Sequence, residues 1–334
     1  MRHTFTFIIL LCFAGCCRRP LVDEVCNGSS SLSTALIPVA VDWSISGITP
    51  SDNTYDDDYV HRVSLRFFPH DGTAVFDRYL ESSIYEGSIE LPVGVYSVVV
   101  FNESIYDTYW EGVFNFVNVD DYDNFMAELV DEDEEYSTEA YKLASWSIDE
   151  FEVTESMVSV SRAQTSRTIL SSYESEMLST LEGIVLQPLT CYINVTATIE
   201  NLVSAQNVYC EVSGFSSSVY MASGDSHTDQ TQHAMELTSR SYTDDENTHG
   251  SITQKRLVLT KSTHDAAEFK LKFEILLTDG TQHSPDEPLE FDVAHQVTRY
   301  ATDDYDLSAE FSLPEVTGGI DVEGWGDDEI ITIY

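Results

Sequence analysis

The chain has 334 residues with 58 acidic against 16 basic side chains, a formal net charge of −42, and 42% hydrophobic and 11% aromatic residues. A surface this acidic repels nucleic acid, and no basic patch interleaved with aromatics offsets it. The same composition excludes a disordered chain, because enough apolar side chain is present to offset the entropy of ordering, and the length suits two domains of ordinary size.

The first element is an export signal. Arg2 and His3 precede a mostly apolar run from Thr4 to Ala14, which ends in Phe13-Ala14-Gly15-Cys16; a charged start, an apolar run and small residues before the cut are the layout of a cleavable signal peptide. The run is too short to span a bilayer as a helix. Ordinary secretion is one reading, but a cysteine directly after Ala-Gly resembles a bacterial lipobox, with Phe13 where Leu is usual. That resemblance makes residues 1–15 the signal peptide and Cys16 the acylated, palmitate-bearing first residue of the mature lipoprotein, held in the lipid bilayer by its acyl chains. Arg18 and Arg19 then sit beside the headgroups, each adding on the order of 1 kcal/mol where the lipid is anionic. Without residues 1–15 there remain 58 acidic and 15 basic residues, a formal charge of −43.

Residues 16–34 are the lipidated N-terminus and a polar, Ser-rich stalk. An N-terminal β-sandwich is expected over 35–160. Val63, Leu65 and Phe67 alternate with Ser64 and Arg66, the period of a strand. Pro92-Val93-Gly94 makes a turn before Val95 to Phe101, whose near-continuous apolar run predicts a central strand covered on both faces. Trp110 to Val117 reads as its hairpin partner. Phe125 with Leu129 and Met126 with Val130 predict a helix between Asp120 and Asp131, capped by Asp120 or Asp121. A connection over 161–181 follows a further strand at Met157 to Val160. It carries a short helix, with Ser171 and Glu174 in capping-box spacing.

The C-terminal β-sandwich is expected over 182–334. Ile193, Val195, Ala197 and Ile199, then Phe269, Leu271, Phe273 and Ile275, then Leu307, Ala309, Phe311 and Leu313 each alternate with polar residues. Strands with one wet and one dry face assemble as two antiparallel sheets, and the helices that a parallel α/β fold needs are missing. The fold class is therefore all-β with minor α, two tandem antiparallel β-sandwiches.

Few motifs carry chemistry. Gly224-Asp225-Ser226-His227 and Asp292-Val293-Ala294-His295 resemble blocks of GDSL-type esterases, but that fold places its serine at an early strand-to-helix turn, and Ser226 lies past mid-chain in a polar loop. An esterase is the remote alternative, and the chain reads as non-enzymatic. The acidic runs at 56–58, 131–135, 303–304 and 327–328 lack EF-hand spacing and read as solvated loops. No Cys/His cluster supports zinc, and no cofactor or metal is expected. Trp43, Trp110, Trp146 and Trp325 could form a sugar-stacking platform, so a glycan-binding surface lipoprotein is the alternative function, though their alternating segments favour core packing. Cys191 and Cys210, each in or beside a strand, fit a disulfide or two buried thiols equally.

An ordered string of motifs resembles the fimbrillin-like lipoproteins of Bacteroidetes, the group that includes FimB-type minor fimbrial subunits. It runs through Cys16 to Leu21, Gly94-Val95-Tyr96 to Val100-Phe101-Asn102, Pro188-Leu189-Thr190 with Ile199-Glu200-Asn201-Leu202, Val212-Ser213-Gly214-Phe215, Val219-Tyr220-Met221-Ala222, Thr278-Asp279, Gly318-Gly319, and Val322 with Trp325 before Ile330 to Tyr334. The resemblance implies transthyretin-like sandwiches, lipid attachment at the cell outer membrane facing periplasm or surface, and a fimbrial (pilus) subunit or anchor in cell adhesion or surface assembly. It also implies other fimbrial subunits as partners by strand addition, with Ala35 to Trp43 as the first strand, represented by Val39 and Val41, and Glu329 to Tyr334 as the tail, represented by Ile331 and Ile333.

Overall fold

The computed structural model describes residues 33–50, 62–80, 83–106, 110, 112–130, 142–158, 180–227, 230–244, 248–259, 269–285, 289–291 and 305–316. These are nearly all strand. The first group is β1 (Thr34–Asp42), β2 (Val63–Pro69), β3 (Phe76–Tyr79), β4 (Glu86–Pro92), β5 (Gly94–Asn102), β6 (Phe114–Val117), β7 (Met126–Leu129), β8 (Ala144–Val153), β9 (Leu181–Val185) and β10 (Gln187–Pro188). The second is β11 (Thr190–Glu200), β12 (Ala205–Ser216), β13 (Ser218–Tyr220), β14 (Gln230–Leu237), β15 (Ser239–Tyr242), β16 (His249–Leu259), β17 (Phe269–Leu277), β18 (Gln282–His283), β19 (Leu289–Phe291) and β20 (Tyr305–Ser312).

Period-two alternation sorts side chains between sheet faces. Ala35, Ile37, Val39, Val41 and Trp43 are buried while Thr34, Leu36 and Asp42 are exposed, so β1 lays one face on a core. That core is shared by the sheet β4-β1-β9 and the sheet β10-β8-β5-β2-β3. The second sandwich stacks β15-β16-β11-β20 on β14-β12-β17-β18, with Cys191, Ile193, Val195, Ala197 and Ile199 of β11 packed against Val208, Cys210 and Val212 of β12. Full burial of such an aliphatic side chain contributes about 1.5–3 kcal/mol.

The two sandwiches share one plan. In each, the first strand lies between an antiparallel neighbour (β4, β16) and a late strand that runs parallel to it (β9, β20). Each facing sheet pairs the second strand with the strand that follows the first strand's antiparallel neighbour, β2 with β5 and β12 with β17. The sheets are thus antiparallel except for one parallel pair per sandwich.

A third core joins the two. β5 explains how: Tyr96, Val98 and Val100 face the first sandwich core, while Val99 and Phe101 point the other way, to Trp110, Phe114, Phe125, Leu189, Tyr192, Val219, Leu257 and Leu259. The doubly covered strand read from the apolar run is this one. A small sheet, β13-β7-β6, draws strands from both halves of the chain. Ser145 Oγ donates to the Met221 carbonyl at 2.8 Å, and the Leu143 N–H donates to Thr190 Oγ1 at 2.7 Å.

Several elements differ from the sequence reading. The expected helix between Asp120 and Asp131 is β7. A spacing of four is even, so Phe125 and Leu129 share a face in a strand as well as in a helix; the deciding residue is Ala127, fully buried between them. Trp110 to Val117 is not the hairpin partner of β5, whose neighbours are β2 and β8; β6 pairs with β7 instead. Met157 and Val158, expected to begin a strand, instead close a helical turn over 155–158 that buries both. β9 and β10, placed by sequence at the head of the second sandwich, pair with β1 and β8 of the first, because Leu181, Ile184 and Leu186 fill that core. The helix expected after Ser171 lies outside the described residues, up to Leu181, which begins β9.

Candidate strand-exchange site

β1 is the strand on which assembly by exchange would turn. It pairs with β4 over seven residues, from Thr34 opposite Pro92 to Ala40 opposite Glu86. On its other side Val39 to Asp42 pair with β9. Val39 and Val41, the two residues singled out by sequence, are buried in the first core at 2% and 7% exposure. The end of the strand is fastened as well. The Val41 N–H donates to the Tyr85 carbonyl at 2.8 Å, the Leu186 N–H to the Asp42 carbonyl at 3.1 Å, and Trp43 Nε1 to the Ile84 carbonyl at 3.0 Å. β1 is therefore an interior strand, and removing it opens two ladders and a core face.

In the second sandwich β11 holds the place of β1, and β20, like β9, fills the lane parallel to that first strand. The eight residues of β20 run parallel to β11, from Tyr305 beside Ile193 to Ser312 beside Glu200. At its exit Ser312 Oγ donates to Glu200 Oε2 at 2.6 Å, the Leu313 N–H to the Glu200 carbonyl at 2.9 Å, and Asn201 Nδ2 to the Leu313 carbonyl at 2.8 Å. Asn201 adopts the left-handed conformation (φ 64°) in which Asn is among the better-tolerated residues. His249 sits beside this exit with Nδ1 at 2.9 Å from Asp244 Oδ2 and Nε2 at 3.6 Å from Glu200 Oε1. Bonds from Thr248 and His249 hold the Asp244 carboxyl down at about 2.

The scarce basic residues of this acidic chain are used inside the fold, a role the sequence reading did not assign. Arg66, 2% exposed, grips both carboxylate oxygens of Asp77 at 2.8 Å, donates from Nε to the Val119 carbonyl at 2.7 Å, and lies over the rings of Phe68 and Phe125. Burial raises the Asp77 carboxyl despite the opposing Arg66 charge. Two other arginines close sandwich edges. Arg78 Nε on β3 donates to the Glu90 carbonyl of β4 at 3.1 Å, and Arg256 Nη1 on β16 to the Ala234 carbonyl of β14 at 2.7 Å. The available signal was an arginine set among aromatics inside a strand, as in Leu65-Arg66-Phe67-Phe68.

The remaining sequence candidates fall as follows. Cys191 and Cys210 are both buried in the second core with no disulfide joining them in the structure; burial pushes the Cys210 thiol up to about 12. Trp43 and Trp110 are core side chains and Trp146 packs against the first core, so these three build no exposed sugar platform; Trp325 lies outside the described residues. Ser226 lies in the turn that folds back on β13, where it bridges Val219 and the His227 N–H donates to the Ser218 carbonyl. His295, Cys16, Ile331, Ile333 and the four acidic runs lie outside the described residues. Among the described residues no cluster of His, Cys, Asp and Glu is placed to hold a metal ion, and no helix is long and apolar enough to cross a membrane.

These features define a class: an all-β protein of two sandwiches on one plan, each with its first strand held between two others, fused through a shared core. The chain belongs to the DUF5119 family, a domain of unknown function, whose model matches residues 16–236. No curated protein matches it in sequence. Its structure is similar to that of a protein of Bacteroides ovatus assigned as an adhesin, at 16% identity and a TM-score of 0.52, covering 85% of this chain and 94% of that one. Two further structures assigned as adhesins are similar. One is from Bacteroides thetaiotaomicron (11% identity, TM-score 0.51, 83% of this chain and 92% of that one). The other is from Bacteroides ovatus (12%, 0.51, 87% and 94%). At these identities the likeness is one of fold, and the fimbrillin-like reading of the motif string agrees with it.

Proposed function

We propose that this chain is a non-enzymatic cell-envelope lipoprotein, attached to the outer membrane through acylated Cys16, that serves as a fimbrial subunit or anchor in adhesion or surface assembly. The observation that carries the reading is β1, the chain's own first strand, seated between β4 and β9 with its apolar face in the core. A subunit that fills its own first lane does not take a neighbour's strand there. That suits the base or end of an assembly better than a repeating middle position. The lipobox supplies attachment, and the fold shared with Bacteroides proteins assigned as adhesins supplies the setting.

Affinity capture of the chain from its native membrane tests the role, with co-purification of a pilin-like subunit as the expected result; capture with no such subunit under several growth conditions would overturn it. Cys16→Ala tests the attachment. The variant leaves the membrane fraction if Cys16 is acylated, and an unchanged membrane fraction refutes the anchor.

A further inference from the structure

The outer strands of the sheets are not equivalent. β3, β6, β13, β15, β18 and β19 have four residues or fewer, and β9 runs almost directly into β10 of the facing sheet. β4 and β14 are longer, but each has a backbone carbonyl taken by an arginine of the neighbouring sheet, Glu90 by Arg78 and Ala234 by Arg256. β20 differs from all of these. It has eight residues, it is held on one side by β11, and among the described residues no strand pairs with its other side. Such an edge presents alternate N–H and C=O groups as a template for one more strand.

The side chains of β20 say what fits. Leu307 and Ala309 are buried and Phe311 packs on the core, while Asp306, Ser308, Glu310 and Ser312 are exposed. Two carboxylates four residues apart on the wet face favour a strand with Lys or Arg beside each, since opposite charges on neighbouring strands attract and like charges repel. A second copy is a poor occupant. It would bring another β20 with its own Asp306 and Glu310, on a body of net charge −42. The chain's last eighteen residues are no better, holding Asp321, Glu323, Asp327, Asp328 and Glu329 and no basic residue.

We infer that the outer edge of β20 is a docking lane for an extended segment of a different protein, with basic residues at alternate positions on its outward face and apolar or small ones inward. The inference rests on the assembly reading only in taking the partner to be a polypeptide.

The test uses the full-length protein in detergent with nine-residue peptides alternating Val with Lys or Val with Glu. Binding is followed by amide hydrogen exchange and by affinity at two salt concentrations. The Val-Lys peptide is expected to protect β20 amides, to weaken several-fold at higher salt, and to lose about two- to tenfold in affinity with Asp306→Asn plus Glu310→Gln, two exposed pairs at their usual strength. Protection elsewhere, equal binding of the Val-Glu peptide, an unchanged double variant, or no binding overturns the inference. The assembly reading fails separately: a pilin captured from membranes while β20 stays unprotected sinks the lane and leaves the role, and β20 protection without any captured pilin does the reverse.

Discussion

Removing Asp77 should damage this protein more than removing Asp77 and Arg66 together. Arg66 is 2% exposed, and its side chain is held by the Asp77 carboxylate and the Val119 carbonyl, with the exposed Asp120 carboxylate 3.6 Å away. Asp77→Leu leaves the buried guanidinium with only the solvent-exposed Asp120 carboxylate at 3.6 Å, an effect of about 3–5 kcal/mol. Arg66→Met plus Asp77→Leu removes both charges and restores apolar volume beside Phe68 and Phe125. It orphans only the Val119 carbonyl, so its net cost is about 1–2 kcal/mol. The pair should therefore show a coupling of at least about 2 kcal/mol in a double-mutant cycle, where independent sites would add. Urea unfolding followed by tryptophan fluorescence measures it. The pH dependence of Arg66→Met alone supplies a second reading. The Asp77 carboxyl already lies above its ordinary value in the folded protein, and loss of Arg66 raises it further. A group whose folded pKa exceeds its unfolded one favours the fold at low pH, and that contribution fades as pH rises through the folded value. The variant should therefore be less destabilised near pH 5 than near pH 8. Additive single substitutions, or singles each costing under about 1 kcal/mol, would refute the reasoning.

Other expectations follow from the same geometry. Ile37→Ala on the core face of β1 should cost about 2–5 kcal/mol, while Leu36→Ala on its 44% exposed face should stay within about 0.5 kcal/mol; thermal melts of the two variants check the register. Gly250→Ala would place a Cβ 2.5 Å from the Ser241 backbone carbonyl oxygen, a contact no side-chain rotation relieves, and should destabilise by about 1–3 kcal/mol in the same melts. Cys191 and Cys210 should resist maleimide in the native protein and both react in denaturant without reductant, which mass spectrometry of the labelled peptides reads directly. A single tryptic species joining the two would refute the unlinked state.

The legible parts of this fold were those in which one face meets one core. β11, β17, β20 and β1 each alternate cleanly, and β5 announced its double burial because both of its faces meet cores. What sequence misassigned lies in and around the shared core, where burial has no simple period. β7 is four residues long, and its even spacing mimics a helical face until Ala127 is seen to be buried. β9 pairs with β1 across more than a hundred residues of chain, so no local pattern could show that Leu181 and Ile184 complete the first core. The site was visible in part: Val39 and Val41 were named as residues of the first strand, whereas the edge of β20 and the arginines that close the other edges became apparent only once the strand order was known.

Finally, the shared core bears on motion. With Val99 and Phe101 on one side and Tyr192, Leu257 and Leu259 on the other, and with the β13-β7-β6 sheet stitched across, the described residues of the two sandwiches are joined by a shared core. The two sandwiches therefore behave as a lever rather than a hinge. A partner seated on β20 would swing the first sandwich with it.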